Sequence, residues 1–213
     1  AGDDPGVYSD NARHVMTIDG SAGGVQVTVD GFQIQRGFCV TALSGFGPDD
    51  GAGIKCDRAD LSVANCTFER NFARNGGGIW ISGTFATEPP LQGAGIFPSL
   101  QVETTEFLYN KGDQQGGGIF ATIMNDSWVV NTRFDSNLAT LGGGGAYLGA
   151  VRAQKSFDFA NCVLWENWTD TGGGGLRFDE VNSLLDGFSK SRVVNCTLVG
   201  NFNADCSAGG AVE

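Results

Sequence analysis

Two carboxylate side chains suited to glycoside cleavage occupy equivalent places in a recurring motif. Glu69 follows Phe68, and Asp135 follows Phe134. A polysaccharide hydrolase needs two carboxyl groups that flank the scissile bond, and a lyase needs acidic calcium ligands beside a basic Lys or Arg. Leu108 takes the same place in the copy between them, so we expect the two carboxylates to lie about 10 Å apart. That separation is at the upper limit for an inverting pair, and we assign no catalytic residue.

The sequence has no recognisable metal-binding motif. His14 is the only histidine, so a His-based triad and a multi-histidine metal site cannot be built. No Cys-x-x-Cys pair occurs, which argues against a structural zinc site. The acidic loops at residues 3–4 and 49–50 could bind calcium through carboxylate and backbone oxygens. Neither has the spacing of an EF-hand or of a glycine-rich nonapeptide. We predict no cofactor, with calcium as the open alternative.

Aromatic side chains point to binding instead of turnover. Trp165 and Trp168 flank Glu166 and Asn167, and Tyr109 stands at a related place in an earlier copy of the motif. Outward aromatic rings stack on sugars or pack against a partner. We therefore predict Tyr109, Trp165 and Trp168 as contacts to polysaccharide or protein. The alternative is that Trp168 packs beneath the loop that follows it.

An internal repeat defines the elements that must position these side chains. Each copy is followed within about nine residues by a glycine cluster and then by a small or apolar residue. A degenerate first copy covers residues 27–38. The five clear copies are residues 61–72, 100–111, 127–138, 157–168 and 191–202.

The repeat predicts strands stacked into a parallel β-helix. Clustered glycines and β-branched residues disfavour helix, and apolar residues alternate with polar ones in each copy, as at Leu61 and Val63. We expect a strand, a bend near Asn65, a second strand, a loop, and a third strand after the glycines. Six such coils would give a rod on the order of 30 Å long, with one continuous apolar core.

One asparagine recurs near the end of the second strand in every clear copy. Neighbouring members are 27 to 39 residues apart. Asparagine tolerates the left-handed region at sharp bends, and stacked amides can form a hydrogen-bonded ladder. We therefore predict a structural ladder made of Asn71, Asn110, Asn137, Asn167 and Asn201.

The chain has six cysteines. Cys39 and Cys56 flank the first long loop, and we predict a disulfide between them. Cys162 and Cys196 share one repeat position on adjacent coils, which places them within disulfide range as well. Cys66 occupies that position without a neighbour and is expected to be a buried thiol. A disulfide favours an oxidising, extracytoplasmic setting.

Composition excludes several classes of protein. With 13 Lys and Arg against 24 Asp and Glu, the formal charge is −11, which argues against a nucleic-acid partner. No apolar run is long enough for a transmembrane helix. The chain is 41% hydrophobic and has 15 Phe residues, so it has the composition of a folded protein.

The pairing of Phe-x-x-Asn with Gly-Gly-Ile resembles the repeat of chlamydial polymorphic outer-membrane proteins. It also resembles many bacterial right-handed parallel β-helix repeat proteins. The motif reads Phe68-Glu69-Arg70-Asn71 with Gly77-Gly78-Ile79, and it recurs at residues 107–110 with 117–119. The resemblance implies an all-β, right-handed parallel β-helix of about six coils with variable loops. Well-studied members of the chlamydial family are surface adhesins, which implies an extracellular or cell-surface location.

We interpret residues 1–213 as one β-helix domain, expected to be a segment of a longer protein or a subunit of an assembly. Open strand edges at the first and last coils predict partner subunits or flanking domains that cover them. The leading hypothesis is a non-enzymatic surface protein for adhesion or structural assembly. The alternatives are a polysaccharide-degrading enzyme of the pectate-lyase kind and a carbohydrate-binding module.

Overall fold

The computed structural model describes residues 14–21, 23–39, 50–85, 95–151, 155–179, 191–205, 210 and 212. Its strands follow one another around six coils. Coil one contains β1 (Met16–Asp19), β2 (Gln26–Asp30) and β3 (Gln33–Gln35). Coil two contains β4 (Ile54–Asp57), β5 (Asp60–Ala64), β6 (Thr67–Glu69) and β7 (Phe72–Asn75).

The third coil carries an inserted hairpin. It contains β8 (Ile79–Ser82), the antiparallel pair β9 (Thr84–Phe85) and β10 (Gly95–Ile96), then β11 (Leu100–Glu103), β12 (Glu106–Leu108) and β13 (Lys111–Gln115). Coil four contains β14 (Ile119–Met124), β15 (Ser127–Val130), β16 (Arg133–Asp135) and β17 (Leu138–Ala139). Coil five contains β18 (Ala146–Val151), β19 (Phe157–Ala160), β20 (Val163–Trp165) and β21 (Trp168–Thr169). Coil six contains β22 (Leu176–Asp179), β23 (Arg192–Val194), β24 (Thr197–Val199) and β25 (Phe202–Asn203).

Equivalent strands of successive coils pair in parallel and form four stacked sheets. The first sheet has the order β1-β4-β8-β14-β18-β22, and the second has β2-β5-β11-β15-β19-β23. The third has β3-β6-β12-β16-β20-β24, and the fourth has β7-β13-β17-β21-β25. The predicted all-β parallel β-helix of about six coils is confirmed. Within the described ranges, no helix is long and apolar enough to span a membrane.

The number of strands per coil differs from the prediction. We expected a loop after each ladder asparagine, but a short fourth strand begins directly after it, as at Phe72 and Lys111. The ladder asparagines explain this difference. Because their backbone and amide groups bond from coil to coil, the residues that follow them are also in register and can pair.

The core is a set of in-register columns along the axis. The predicted inward residues of coils two to five are buried, and the rings of Phe68, Phe107 and Phe134 stack with centroids 4.9 and 4.8 Å apart. Leu164 and Leu198 continue this column. In the sixth coil the side chain at the inward position is partly exposed to solvent: Val193 is 37% exposed.

The left-handed residues do not lie where we predicted them. Arg70, Tyr109 and Ser136, which each precede a ladder asparagine, have φ of 52°, 55° and 54°. The other bend, between the second and third sheets, is left-handed at Asn65 and Asn131, with φ of 52° and 50°. Tolerance of positive φ therefore explains the asparagines of that bend, while the ladder asparagines need a different explanation.

Close packing between coils explains the glycine clusters. A Cβ on Gly117 would lie 2.4 Å from the carbonyl oxygen of Gly144 and 2.5 Å from that of Leu138. A Cβ on Gly118 would lie 2.5 Å from the Gly145 oxygen and 3.0 Å from the Phe134 ring. The backbone of each coil thus packs directly on the next, and no side chain fits between them.

We expect Gly117→Ala to lower the free energy of unfolding by about 3 kcal/mol or more, because backbone atoms on both sides would have to move. Gly31→Asn is the matched control. Gly31 has φ of 74° with open space around it, and Asn65 stands next to it in register, so the change should stay within about 1 kcal/mol. Urea unfolding measures both variants. Equal losses would contradict the packing explanation.

Candidate functional site

The five predicted ladder asparagines form one hydrogen-bonded column. The Oδ1 atom of Asn137 accepts from the backbone N and the Nδ2 of Asn110, at 3.0 and 3.1 Å. The Nδ2 of Asn137 donates to Asn167 Oδ1 at 3.0 Å and to the carbonyl of Phe107 at 2.8 Å. The same pattern joins Asn71, Asn110, Asn137, Asn167 and Asn201.

The ladder satisfies the polar groups of its amides inside the protein. The side chains of Asn71, Asn110, Asn137 and Asn167 are completely buried, so each amide needs internal partners. In coil one the ladder begins at Gly37, whose backbone N donates to Asn71 Oδ1 at 2.9 Å. These amides hold the coils in register and cannot reach a ligand.

A second polar column lies beside the ladder, at the bend between the second and third sheets. Cys66, Cys162 and Cys196 each donate a hydrogen bond to the carbonyl two residues earlier. Thr105 and Thr132 make the same bond in the coils between them. Cysteine and threonine are interchangeable here because each supplies a short donor, and sequence analysis missed the threonine members.

Neither predicted disulfide is present. Cys56, Cys162 and Cys196 are free thiols. Cys56 faces the main core and donates to the carbonyl of Ala59, whereas Cys39 lies in a separate small cluster with its Sγ 3.2 Å from His14 Nδ1. Flanking the same loop in sequence therefore does not bring Cys39 and Cys56 together. In the other pair, the Cys162 thiol donates to the carbonyls of Ala160 and Val129, and Cys196 Sγ accepts from the backbone N of Cys162 and donates to the carbonyl of Val194. Cys206 lies outside the described residues.

The predicted aromatic contacts do not share one face. Tyr109 is 54% exposed at the bend between the third and fourth sheets, with the Arg70 guanidinium 5.8 Å from its ring centre. Trp165 is 41% exposed on the third sheet, two coils away. Trp168 is on the fourth sheet, and its ring stacks on Phe202. Sequence placed these residues near one another, but the intervening bend turns them to different sides.

The predicted acidic pair occupies one column with Leu108 between its members, as expected. Each acid has its own basic partner. Arg70 lies 3.1 Å from Glu69, and Arg133 bonds Asp135 on the same strand. Asp50, from one predicted calcium loop, is buried and bonded by Arg74 and Asn75. Residues 3, 4 and 49 lie outside the described residues.

The outer face of the second sheet carries a groove that sequence analysis did not single out. Its volume is about 260 Å³, and it extends over strands β2, β5 and β11. Ser and Gln residues on the outer side of a strand resemble any solvated face, so the sequence gives no signal for it. The polar lining consists of Gln26, Thr28, Asp60, Ser62, Ser99 and Gln101.

Among the described residues that line this groove, Asp60 is the one that carries a charge. The backbone N and the hydroxyl of Ser99 donate to its Oδ1 at 2.7 and 2.9 Å. Gln26 Nε2 lies 3.3 Å from its Oδ2. These bonds fix the carboxylate and leave acceptor capacity on Oδ2, since a carboxylate offers about four lone-pair sites.

A tryptophan continues the groove along the axis. Trp128 is next to Gln101 in register and is half-buried. Among the described residues, no ring or cation lies against it. Asp158 follows in the next coil and pairs with Arg192. The outer face of the second sheet therefore presents a polar groove, then an aromatic ring, then an ion pair.

The first sheet carries the other outward aromatic column, made of Trp80, Phe120 and Tyr147. The rings of Phe120 and Tyr147 are parallel within 4°, with centroids 5.1 Å apart. Lys55 lies 5.8 Å above Trp80. Burial raises the pKa of Tyr147, and so does the hydrogen bond to Asp179. The facing sides of the Phe120 and Tyr147 rings thus cover one another, and Lys55 lies over the Trp80 ring.

Residues 65–82 match the family model of the Chlamydia polymorphic membrane protein repeat. They contain β6, β7 and β8 with Asn71 and one glycine cluster. No curated protein and no solved structure matches the chain. Together with the four parallel sheets, the match confirms the resemblance to a β-helix repeat protein of this type. It indicates a protein associated with the cell surface or outer membrane.

We expect Asn137→Ala to destabilise the chain by about 3–5 kcal/mol. The change leaves the backbone N of Asn110 without its acceptor and the Phe107 carbonyl without its side-chain donor, and Asn110 Nδ2 keeps only its bond to the Phe68 carbonyl. Each buried group left unpaired costs about 1–3 kcal/mol.

Asn131→Gly is the control in the same coil. Coil one already has Gly31 in this bend column, so we expect a change within about 1 kcal/mol. Urea unfolding measures both. A loss for Asn137→Ala no larger than for Asn131→Gly would mean that the ladder does not stabilise the fold.

Ionisation of the buried Cys162 thiol should lower the free energy of unfolding at alkaline pH. Burial raises its pKa from 9.0 to about 12, so its contribution to folding is complete below pH 9 and is lost as the pH rises towards 12. Cys162→Thr removes this titration and keeps the donor that Thr132 supplies in the neighbouring coil.

Between about pH 7 and pH 10.5, the wild type should lose about 2 kcal/mol more unfolding free energy than Cys162→Thr. Both proteins carry Cys196→Thr as a background change, because the Cys196 thiol interacts with that of Cys162. Urea unfolding at the two pH values provides the measurement, and the remaining titrations cancel in the comparison. Parallel losses in the two proteins would show that the thiol ionises as readily in the folded chain as in the unfolded one.

Proposed function

We propose that this chain is an extracellular or cell-surface β-helix that serves adhesion or structural assembly and catalyses no reaction. The match of residues 65–82 to a surface-protein repeat carries the proposal. The free thiols of Cys56, Cys162 and Cys196 give no support for an oxidising environment.

The column that contains Glu69 and Asp135 lacks the arrangement that glycoside cleavage needs. Glu69 and Asp135 are each held by an arginine, and the residue between them in the column is Leu108. An inverting glycosidase needs one protonated and one ionised carboxyl group facing a shared substrate. Two arginine-paired carboxylates on separate coils do not provide that arrangement.

Assembly is supported by the sixth coil. Val194, Val199 and Phe202 are 46%, 42% and 50% exposed there. Exposed apolar side chains on adjacent strands favour contact with another polypeptide. We propose that a protein partner, either a further subunit or a flanking domain, packs on this coil.

The absence of turnover is tested with a panel of neutral and acidic polysaccharides. We expect no new reducing ends and no unsaturated products from the purified chain, and no difference between wild type and the variants Glu69→Gln and Asp135→Asn. Product formation that these variants abolish would replace the proposal with the enzymatic alternative.

The surface location has its own test. An antibody raised against the purified chain should label intact cells of the producing organism, and its Fab fragments should reduce attachment of those cells. Fab fragments of an unrelated antibody are the control. Labelling that appears only after the cells are permeabilised would contradict the proposal.

A further inference from the structure

The groove on the second sheet has unused hydrogen-bonding capacity. Thr28, Ser62 and Gln101 stand in one column in register, one per coil. Their side chains make no hydrogen bond to another described residue. Two hydroxyls and an amide thus point outwards from adjacent strands, each able both to donate and to accept.

Asp60 supplies a fixed acceptor at the side of this column. Its Oδ1 is fully used by Ser99, whereas its Oδ2 has only the long contact of 3.3 Å from Gln26. A carboxylate held in this way can accept a hydrogen bond from a ligand hydroxyl without rearranging.

Trp128 adds a half-buried aromatic ring to the same row. It lies one strand beyond Gln101, about 4.8 Å further along the axis. On the first sheet the rings of Phe120 and Tyr147 stack on one another, whereas no described ring or cation lies against Trp128. An aromatic ring without a ring partner, beside hydroxyl and amide groups, is suited to the C–H face of a sugar.

We propose that the groove and Trp128 form a binding site for a neutral polysaccharide that lies along the axis of the β-helix. This inference rests on the proposed function, since it names the ligand class of a binding protein. Adjacent coils are about 4.8 Å apart, which is close to the length of one hexose unit. Successive sugar residues would therefore meet Thr28, Ser62, Gln101 and Trp128 in turn.

Charge determines the ligand class. The part of the chain that the structure describes lines the groove with one carboxylate and no Lys or Arg, and the whole chain has a formal charge of −11. A polyuronate or a phosphorylated polymer would be repelled by this field and would find no cation to pair with. A polymer that offers only hydroxyl groups has no such cost.

Affinity electrophoresis of the folded chain tests the site, with laminarin, hydroxyethylcellulose, galactomannan and xylan as neutral probes and polygalacturonate as the acidic one. We expect at least one neutral polymer to retard the wild type. Trp128→Ala and Gln101→Ala should each weaken that retardation at least fivefold. Trp80→Ala is the matched control, because Trp80 is also half-buried but lies on the first sheet, and it should bind like the wild type.

Circular dichroism and urea unfolding establish that all the variants are folded, and Gln101→Ala keeps the test valid if Trp128→Ala does not fold. Three results would overturn the site: no retardation by any neutral polymer, equal retardation of the wild type and both groove variants, or stronger retardation by polygalacturonate. If the chain binds no polysaccharide, antibody labelling of intact cells is still expected. A negative result for the polysaccharide site can therefore be told apart from a negative result for the surface location.

Discussion

The structure depends on strict register between successive coils. Each coil hydrogen-bonds to the next through four parallel sheets, and buried asparagine amides link the coils where the third sheet turns into the fourth. An amide at the centre of a protein is costly unless its donors and acceptor are all paired. These donors and acceptors are paired when the coils are aligned in register. The buried asparagines, which would destabilise the fold if unpaired, therefore specify how the coils stack.

The other recurring residues follow from this alignment. Once the coils are in register, backbone meets backbone at the glycine clusters, and Gly117 and Gly144 cannot carry side chains. The phenylalanine rings stack at the spacing of the strands. Short donors such as Cys66 and Thr105 bond within their own coil at the neighbouring bend. Variable loops can be inserted without disturbing these columns, which accounts for the irregular length of the repeat.

Most of the fold could be predicted from the sequence because it repeats. Five copies of one motif identify the inward positions and the ladder, from Asn71 to Asn201, without any knowledge of distances. The assignment of left-handed φ to the ladder was wrong, since both kinds of asparagine stand near bends and only coordinates separate Asn65 from Asn71. The short fourth strand was missed because it consists of only two residues in several coils, as at β17.

Function was less predictable, because a binding face on a β-helix depends on which outward residues lie in one column. Tyr109, Trp165 and Trp168 have the right chemistry but point to different sides. Gln101 and Trp128 hold the same place in successive copies of the repeat, but they were not singled out because their residue types differ and neither forms a motif. The coordinates add that they lie side by side on the outer face of the second sheet, next to the groove. The register between coils therefore determines both the stability of the fold and which residues lie together on each outer face.

Spin-label distances along one outer column measure that register most directly. With one nitroxide at Thr28→Cys and a second at Gln101→Cys, Asp158→Cys or Arg192→Cys, in a background without other accessible cysteines, the number of coils between the labels rises from two to four and then five. Stacked coils predict mean distances that grow by about 4.8 Å per coil, to about 24 Å for the last pair. Distances that do not grow in proportion to the number of coils would contradict the stacked arrangement.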